Sequence, residues 1–267
     1  MIVDKINEYL SSSELVLDDA IKYEIEKIAG YTFKRQFMEV SEYDSTGRLY
    51  VSQVGKCPRQ LAYQFHGFEK SGKDIDGRAR LIFWFGDLVE TAIVSIAKLS
   101  GCNITATGLN QMHLVAENEK FKLSGYPDGL VLTNKELVVL EIKSMSDFAF
   151  KRFEKGEVDE SYIAQVNMEM ELSGTDKCCF VGLNKNNCIM NEMVFERDQN
   201  VIDEIKSNLF TVVNSTPEKL PAQKYSANEK GKYPWQCLYC SYWKHCRPNA
   251  EKVLQGKSYI LKEKQNG

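Results

Sequence analysis

The chain has 267 residues, 43% of them hydrophobic, enough to bury a full core either as one large domain or as a domain with appendages. Its 34 Lys and Arg against 37 Asp and Glu leave a formal net charge of −3, which excludes the global basicity of many nucleic-acid binders but not a local cationic groove for phosphate. No apolar run reaches membrane-spanning length, and the acidic, amphipathic start MIVDKINEYLSSSELVLDD is unlike a signal peptide, so a soluble cytoplasmic chain with no membrane association is expected.

In chain order, residues 1–45 read as a helical extension, DKINEYL and then AIKYEIEKIAGYTFKRQFMEV, with Gly30 as a breaker between periodic stretches. Packing, partner contact or a lid are its expected roles. In VSQVGKCPRQLAYQFHGF a helix is expected with Cys57 and Pro58 at its start, and with Arg59 one turn from Tyr63, where either could face a phosphate. RARLIFWFGDLVETAIVSIAKLS, residues 78–100, is the strongest helical pattern. Leu81, Trp84, Phe85, Leu88, Ala92 and Ile96 form its expected core stripe, and Asp87 and Glu90 lie on a neighbouring face. A carboxylate in that position is ordinarily a solvated edge residue.

Residues 103–143 are strand-rich, in runs separated by short polar turns, and His113 alternates within one of them as a structural residue. A short helix follows, and then SYIAQVNMEMELSG, a helix closed by Gly174. On it Tyr162 and Gln165 project together, one turn apart, with Ile163, Val166 and Met170 on the packing side. Two more strands, joined through Asn186-Asn187, and the helix QNVIDEIKSNLFTVVN complete an α/β core with a mixed central sheet over residues 46–215. From residue 216 to 267 the composition turns Pro-, Lys- and Cys-rich and loop-like, a segment that needs something other than a hydrophobic core to hold it.

GYPDGLVLTNKELVVLEIK, from Gly125 to Lys143, reads as a β-hairpin turning at Asn134-Lys135. In that register the residue numbers of cross-strand partners sum to 269, so Asp128 faces Glu141. Strand alternation places Glu141 and Lys143 on one face and Leu140 and Ile142 on the other. Two carboxylates and an ammonium converge, an arrangement suited to a hard cation beside a fixed positive charge and hence to phosphodiester hydrolysis. Charged pairs across hairpins are also common without any such role.

The eight cysteines divide by spacing. Cys102, Cys178, Cys179 and Cys188 lie in apolar or strand-like surroundings and read as buried small hydrophobes. Cys237-x2-Cys240-x5-Cys246, with Cys57 far upstream, offers four thiolates to tetrahedral zinc or an iron–sulfur cluster that would staple the tail to the N-terminal part. Trp235, Tyr239, Tyr242 and Trp243 would then either pack around that centre or stack bases.

Taken together, CPRQLAY, FGDLVE, GYPDG, EIK, YIAQ and the terminal cysteine triplet, in that order over roughly residues 50–250, resemble the RecB-like branch of the PD-(D/E)XK nucleases. The closer resemblance is to its iron–sulfur group, which includes the CRISPR-associated adaptation exonuclease, the AddB nuclease domain and phage relatives. The resemblance implies a restriction-endonuclease-like core and a metal-dependent DNA nuclease, an exonuclease on single-stranded ends. Asp128, Glu141 and the carbonyl of Ile142 would hold Mg2+ or Mn2+, Lys143 would stabilise charge at the attacked phosphate, and Tyr162 and Gln165 would contact DNA or orient the lysine. Cys57, Cys237, Cys240 and Cys246 would ligate [4Fe–4S]. The histidine of the family's Gly-x-x-x-His is Glu90 here, a carboxylate that can bind the same hard cation. DNA is the implied partner, alongside a second copy of the chain or recombination or adaptation proteins. A non-cleaving DNA-binding or adaptor module with a structural cluster is the alternative reading, and a sequence-specific restriction-type endonuclease a third.

Overall fold

The computed structural model describes residues 2–12, 16–38, 46–72, 77–133, 136–256 and 258–264. The helices are α1 (Ile2–Leu10), α2 (Asp19–Phe37), α3 (Pro58–Phe65), α4 (Gly77–Leu99), α5 (Asp147–Phe153), α6 (Glu160–Ser173), α7 (Gln199–Val213) and the short α8 (Trp235–Leu238) and α9 (Trp243–Cys246). The strands are β1 (Arg48–Tyr50), β2 (Ile104–Thr105), β3 (Leu114–Glu117), β4 (Lys122–Gly125), β5 (Gly129–Leu132), β6 (Leu137–Met145), β7 (Lys177–Asn184), β8 (Met190–Glu196), β9 (Ala250–Gln255) and β10 (Ser258–Glu263). No helix among the described residues is long and apolar enough to cross a membrane.

The central sheet is mixed, in the order β2-β5-β6-β7-β8, antiparallel throughout except for the parallel pair β6–β7. A parallel pair needs a crossover connection, and α5 and α6 supply it. Strand β6 is buried on both faces. Val138, Leu140 and Ile142 pack with Ile2, Ile6, Ile93, Val94 and Ala97 on the α1/α4 side, while Val139 and Met145 pack with Phe150, Phe153, Val166 and Met170 on the α5/α6 side. The result is a helix–sheet–helix sandwich with the expected hairpin at its centre. A smaller sheet, β1-β4-β3, closes a third apolar cluster against α3, α6 and α7.

The first helix is part of this core. The Glu192 carboxylate on β8 accepts the N–H groups of Ile2 (2.9 Å) and Val3 (3.1 Å), satisfying donors that a helix start leaves open.

Several sequence expectations are corrected. Helix α2 runs through Gly30 without a break, since a lone glycine inside a helix costs only about 1 kcal/mol. On α4, Leu81 and Phe85 are exposed and so is Ala92, while Ile93, Val94 and Ala97 are buried. The first half of α4 packs on α2, with Trp84 edge-on to Phe33 and Phe37, and the helix reaches the sheet in its second half, so one stripe cannot serve both partners. Cys188 is exposed in the β7–β8 turn with φ +61°, whereas Cys178 and Cys179 are buried as expected. The tail is not all loop, since β9 and β10 form an antiparallel hairpin.

Candidate active site and cysteine cavity

Gly129 pairs with Leu140, Leu130 with Val139, Val131 with Val138 and Leu132 with Leu137. Each pair sums to 269 as expected; the Asn134-Lys135 turn itself lies outside the described residues. One step beyond the Gly129–Leu140 pair, Asp128 continues the register toward Glu141. Its Oδ2 accepts the backbone N–H of Ile142 at 2.7 Å, so the carboxylate is clamped to the neighbouring strand.

Glu141 is 1% exposed. Its Oε1 forms an ion pair with the Lys143 ammonium and accepts Gln165 Nε2 at 2.8 Å. Its Oε2 is buried with no partner. Gln165, on α6, donates its second amide proton to Glu169 Oε1, also at 2.8 Å. Glu169 is itself 1% exposed, with an orphaned Oε2. The spacing of Gln165 and Glu169, four apart on one helix face, was a readable signal that the sequence reading passed over. Tyr162, one turn before Gln165, holds its ring 5.6 Å from Lys143 Nζ.

From α4, Glu90 joins the same electrostatic cluster, held by Gln111 Nε2 at 2.9 Å. Burial raises its pKa to about 7, helped by Asp87 and Glu141. Asp87 in turn is paired with Arg35 at 2.8 Å. Burial pushes Asp128 well above the carboxylate range, with Glu141 and Glu90 adding to the rise. Glu169 rises through burial and then Glu141. Burial alone would pull the Lys143 ammonium down, but Glu141 and Asp128 outweigh it and the lysine stays charged. Burial likewise raises Tyr162.

Mutual repulsion between carboxylates and a buried carboxylate oxygen without a partner are chemically compatible with a hard cation such as Mg2+ or Mn2+. As the side chains stand, no group of three or more His, Cys, Asp or Glu among the described residues is gathered to hold a metal ion.

Cys57, Cys237, Cys240 and Cys246 border one cavity, together with Arg59 and Arg247. Cys57 sits at the N-cap of α3. The loop before it is drawn onto α6 at Gly55, where a Cβ would come within 2.6 Å of Ser161 Cα. Arg59, which the sequence left free to face a phosphate, instead points to this cavity and donates to the Pro221 carbonyl at 2.7 Å. Burial pushes the Cys240 thiol up to about 11, opposed by the Tyr242 N–H on its sulfur at 3.4 Å. Burial also raises Cys237 and Cys246, opposed by Arg247 and, for Cys246, by Arg59. The guanidinium of Arg247 meets Gln223 and the Tyr225 carbonyl, but its Nε is buried without a partner. Cations beside Cys237 and Cys246 and an N–H on Cys240, with Cys57 bordering the same cavity, are compatible with a thiolate-ligated centre.

Of the four tail aromatics, Tyr242 is buried and stacks on Tyr63 at 5.6 Å, and Trp243 packs on the small C-terminal cluster. Trp235 and Tyr239 are exposed. His113 stacks on Tyr126 at 4.6 Å, in keeping with a structural role.

No protein-family model matches the chain, and no curated protein matches it in sequence. Among solved structures, SSO0001 superposes with a TM-score of 0.47 at 18% identity, over 81% of this chain and 93% of that one. An alkaline exonuclease, LHK-Exo from Laribacter hongkongensis, superposes with a TM-score of 0.43 at 18% identity. Its complex with dAMP gives 0.45 at 20% identity, and both LHK-Exo structures cover 63% of this chain and 87% of theirs. Likeness at these TM-scores is too loose to bear on function.

Proposed function

We propose that this chain is a metal-dependent DNA nuclease of the PD-(D/E)XK type, acting as an exonuclease on single-stranded ends. The observation that carries the reading is the buried hairpin site, in which the Asp128 and Glu141 carboxylates accompany the charged Lys143, with Glu90 of α4 within electrostatic reach. Burying this many carboxylates costs stability unless a cation offsets their repulsion. A purely structural network would be expected to leave Glu141 Oε2 paired.

Asp128, Glu141, Glu90 and the carbonyl of Ile142 would hold Mg2+ or Mn2+. Bound there, the cation supplies Lewis acidity and a water of lowered pKa. Lys143, kept protonated by Glu141 and Asp128, is an electrostatic group rather than a base; it offsets charge growing on the attacked phosphate. Gln165 holds Glu141 in place through its amide, and Tyr162 limits where the lysine ammonium can swing. Cys57, Cys237, Cys240 and Cys246 would ligate a [4Fe–4S] cluster that ties the tail to α3.

The reading is tested with anaerobically purified protein on end-labelled single- and double-stranded DNA, with Mg2+, Mn2+ or EDTA. Cation-dependent loss of single-stranded ends supports it. Brown protein that binds DNA and never cuts in any of these conditions points to the non-cleaving module instead.

A further inference from the structure

Beyond Lys143, strand β6 runs into a cavity of about 440 Å³, within the range of small-ligand sites. Ser144 and Ser146 border it from the strand end, Tyr162 from α6, Lys185 from the β7–β8 turn and Trp235 from α8. Tyr162 is thus shared, since the same ring lies 5.6 Å from the Lys143 ammonium. Trp235 is 55% exposed, an indole that packing alone does not account for. Lys185 is exposed and has no ion partner among the described residues. The acidic groups at the rim are occupied: Glu157 pairs with Arg152 at 2.9 Å, and Asp159 caps α6 through Ser161 N–H at 2.9 Å.

We propose that this cavity takes the base of an unpaired nucleotide adjoining the scissile phosphate, with Trp235 as its stacking partner and Lys185 on the next phosphate; this rests on the nuclease reading. Two aromatic rings, hydroxyls and an unpaired ammonium are the chemistry of a single-strand platform. A base inside a cavity cannot be stacked in a duplex, so the subsite selects an unpaired strand. Helix α8 also carries Cys237, which borders the cysteine cavity, so one four-residue helix presents Trp235 to the strand and a thiol to the neighbouring centre.

The test uses the full chain and a fluorescein-labelled oligothymidylate, with binding measured by anisotropy in Ca2+ and cleavage in Mn2+. Trp235→Leu is expected to weaken binding about tenfold, and Trp235→Phe to hold it within about threefold. Lys185→Ala is expected to lower the salt dependence of binding by about one unit of slope. If Trp235→Leu fails to fold, Lys185→Ala and Trp235→Phe still decide. A wild type that cuts while Trp235→Leu and Lys185→Ala bind as it does overturns the subsite and leaves the nuclease reading standing. A wild type that binds through Trp235 yet never cuts supports the subsite and sinks the nuclease reading. A wild type that binds no oligonucleotide overturns both.

Discussion

The carboxylate site and the cysteine cavity are assembled in opposite ways. Asp128, Glu141 and Lys143 come from one hairpin, set opposite each other by a backbone ladder and held between two apolar clusters. The cysteine cavity joins the start of α3 to a tail whose own buried cluster is Tyr233, Ala250 and Leu261. The hairpin site is preformed by hydrophobic packing and sheet register. The tail has little apolar burial of its own and is held to the rest by polar and aromatic contacts, Tyr242 on Tyr63, Arg59 to Pro221 and Lys244 N–H to Ser71, to which a centre on the four thiols would add. Changes in the first region should therefore spare the fold and remove chemistry, and changes in the second should do the reverse.

The largest expected effect is at Lys143. Lys143→Ala should lower DNA cleavage by about 10²–10³-fold, the scale for losing one charge-stabilising group, while circular dichroism and cation binding stay near wild type. Retained cutting would take the lysine out of the mechanism. At the cysteine cavity, Cys240→Ala should give colourless, poorly soluble protein with its iron lost and its tail open to limited proteolysis. A soluble, coloured variant would mean that the ligand set is wrong. A smaller effect is expected at Glu90→Gln, which should raise the Mg2+ concentration needed for half-maximal cutting by about tenfold. An unchanged Mg2+ titration would leave Glu90 as a half-buried structural carboxyl held by Gln111.

The smallest effect is a pH dependence. In the folded, cation-free protein Glu90 sits at about 7 against an ordinary 4.5. Between those values the folded state keeps a proton that the unfolded chain has released, so this carboxyl makes stability fall as pH rises from 4.5 to 7. Thermal melts in EDTA should show that fall, and Glu90→Gln should flatten it. Identical slopes in the two proteins would contradict the assignment.

The register of the central hairpin was legible from the two-residue turn expected at Asn134-Lys135, which fixes the pair sum at 269; alternation along β6 could not have set it, because that strand is buried on both faces. The caps were legible too: Cys57-Pro58 opens α3 and Gly174, with φ +69°, closes α6. The burial of α4 was not legible, because the helix changes partner along its length and its first turns are apolar on faces that stay exposed. The pairing of Glu169 with Gln165 was legible in their i, i+4 spacing, but its burial was not, because it depends on the tertiary packing of α6. The convergence of Cys57 with the tail could be suspected from residue type, but it rests on long-range contacts that no local pattern encodes.

The proposed nuclease stands or falls on whether Asp128 and Glu141 hold a cation. The direct measurement is Mn2+ binding to the full chain, followed by electron paramagnetic resonance, for wild type and for Asp128→Asn and Glu141→Gln. Saturable binding by wild type, weakened about tenfold or more in each variant, is the predicted result. Equal binding by all three proteins, or none by wild type, would contradict it and leave the carboxylates as a buried structural network.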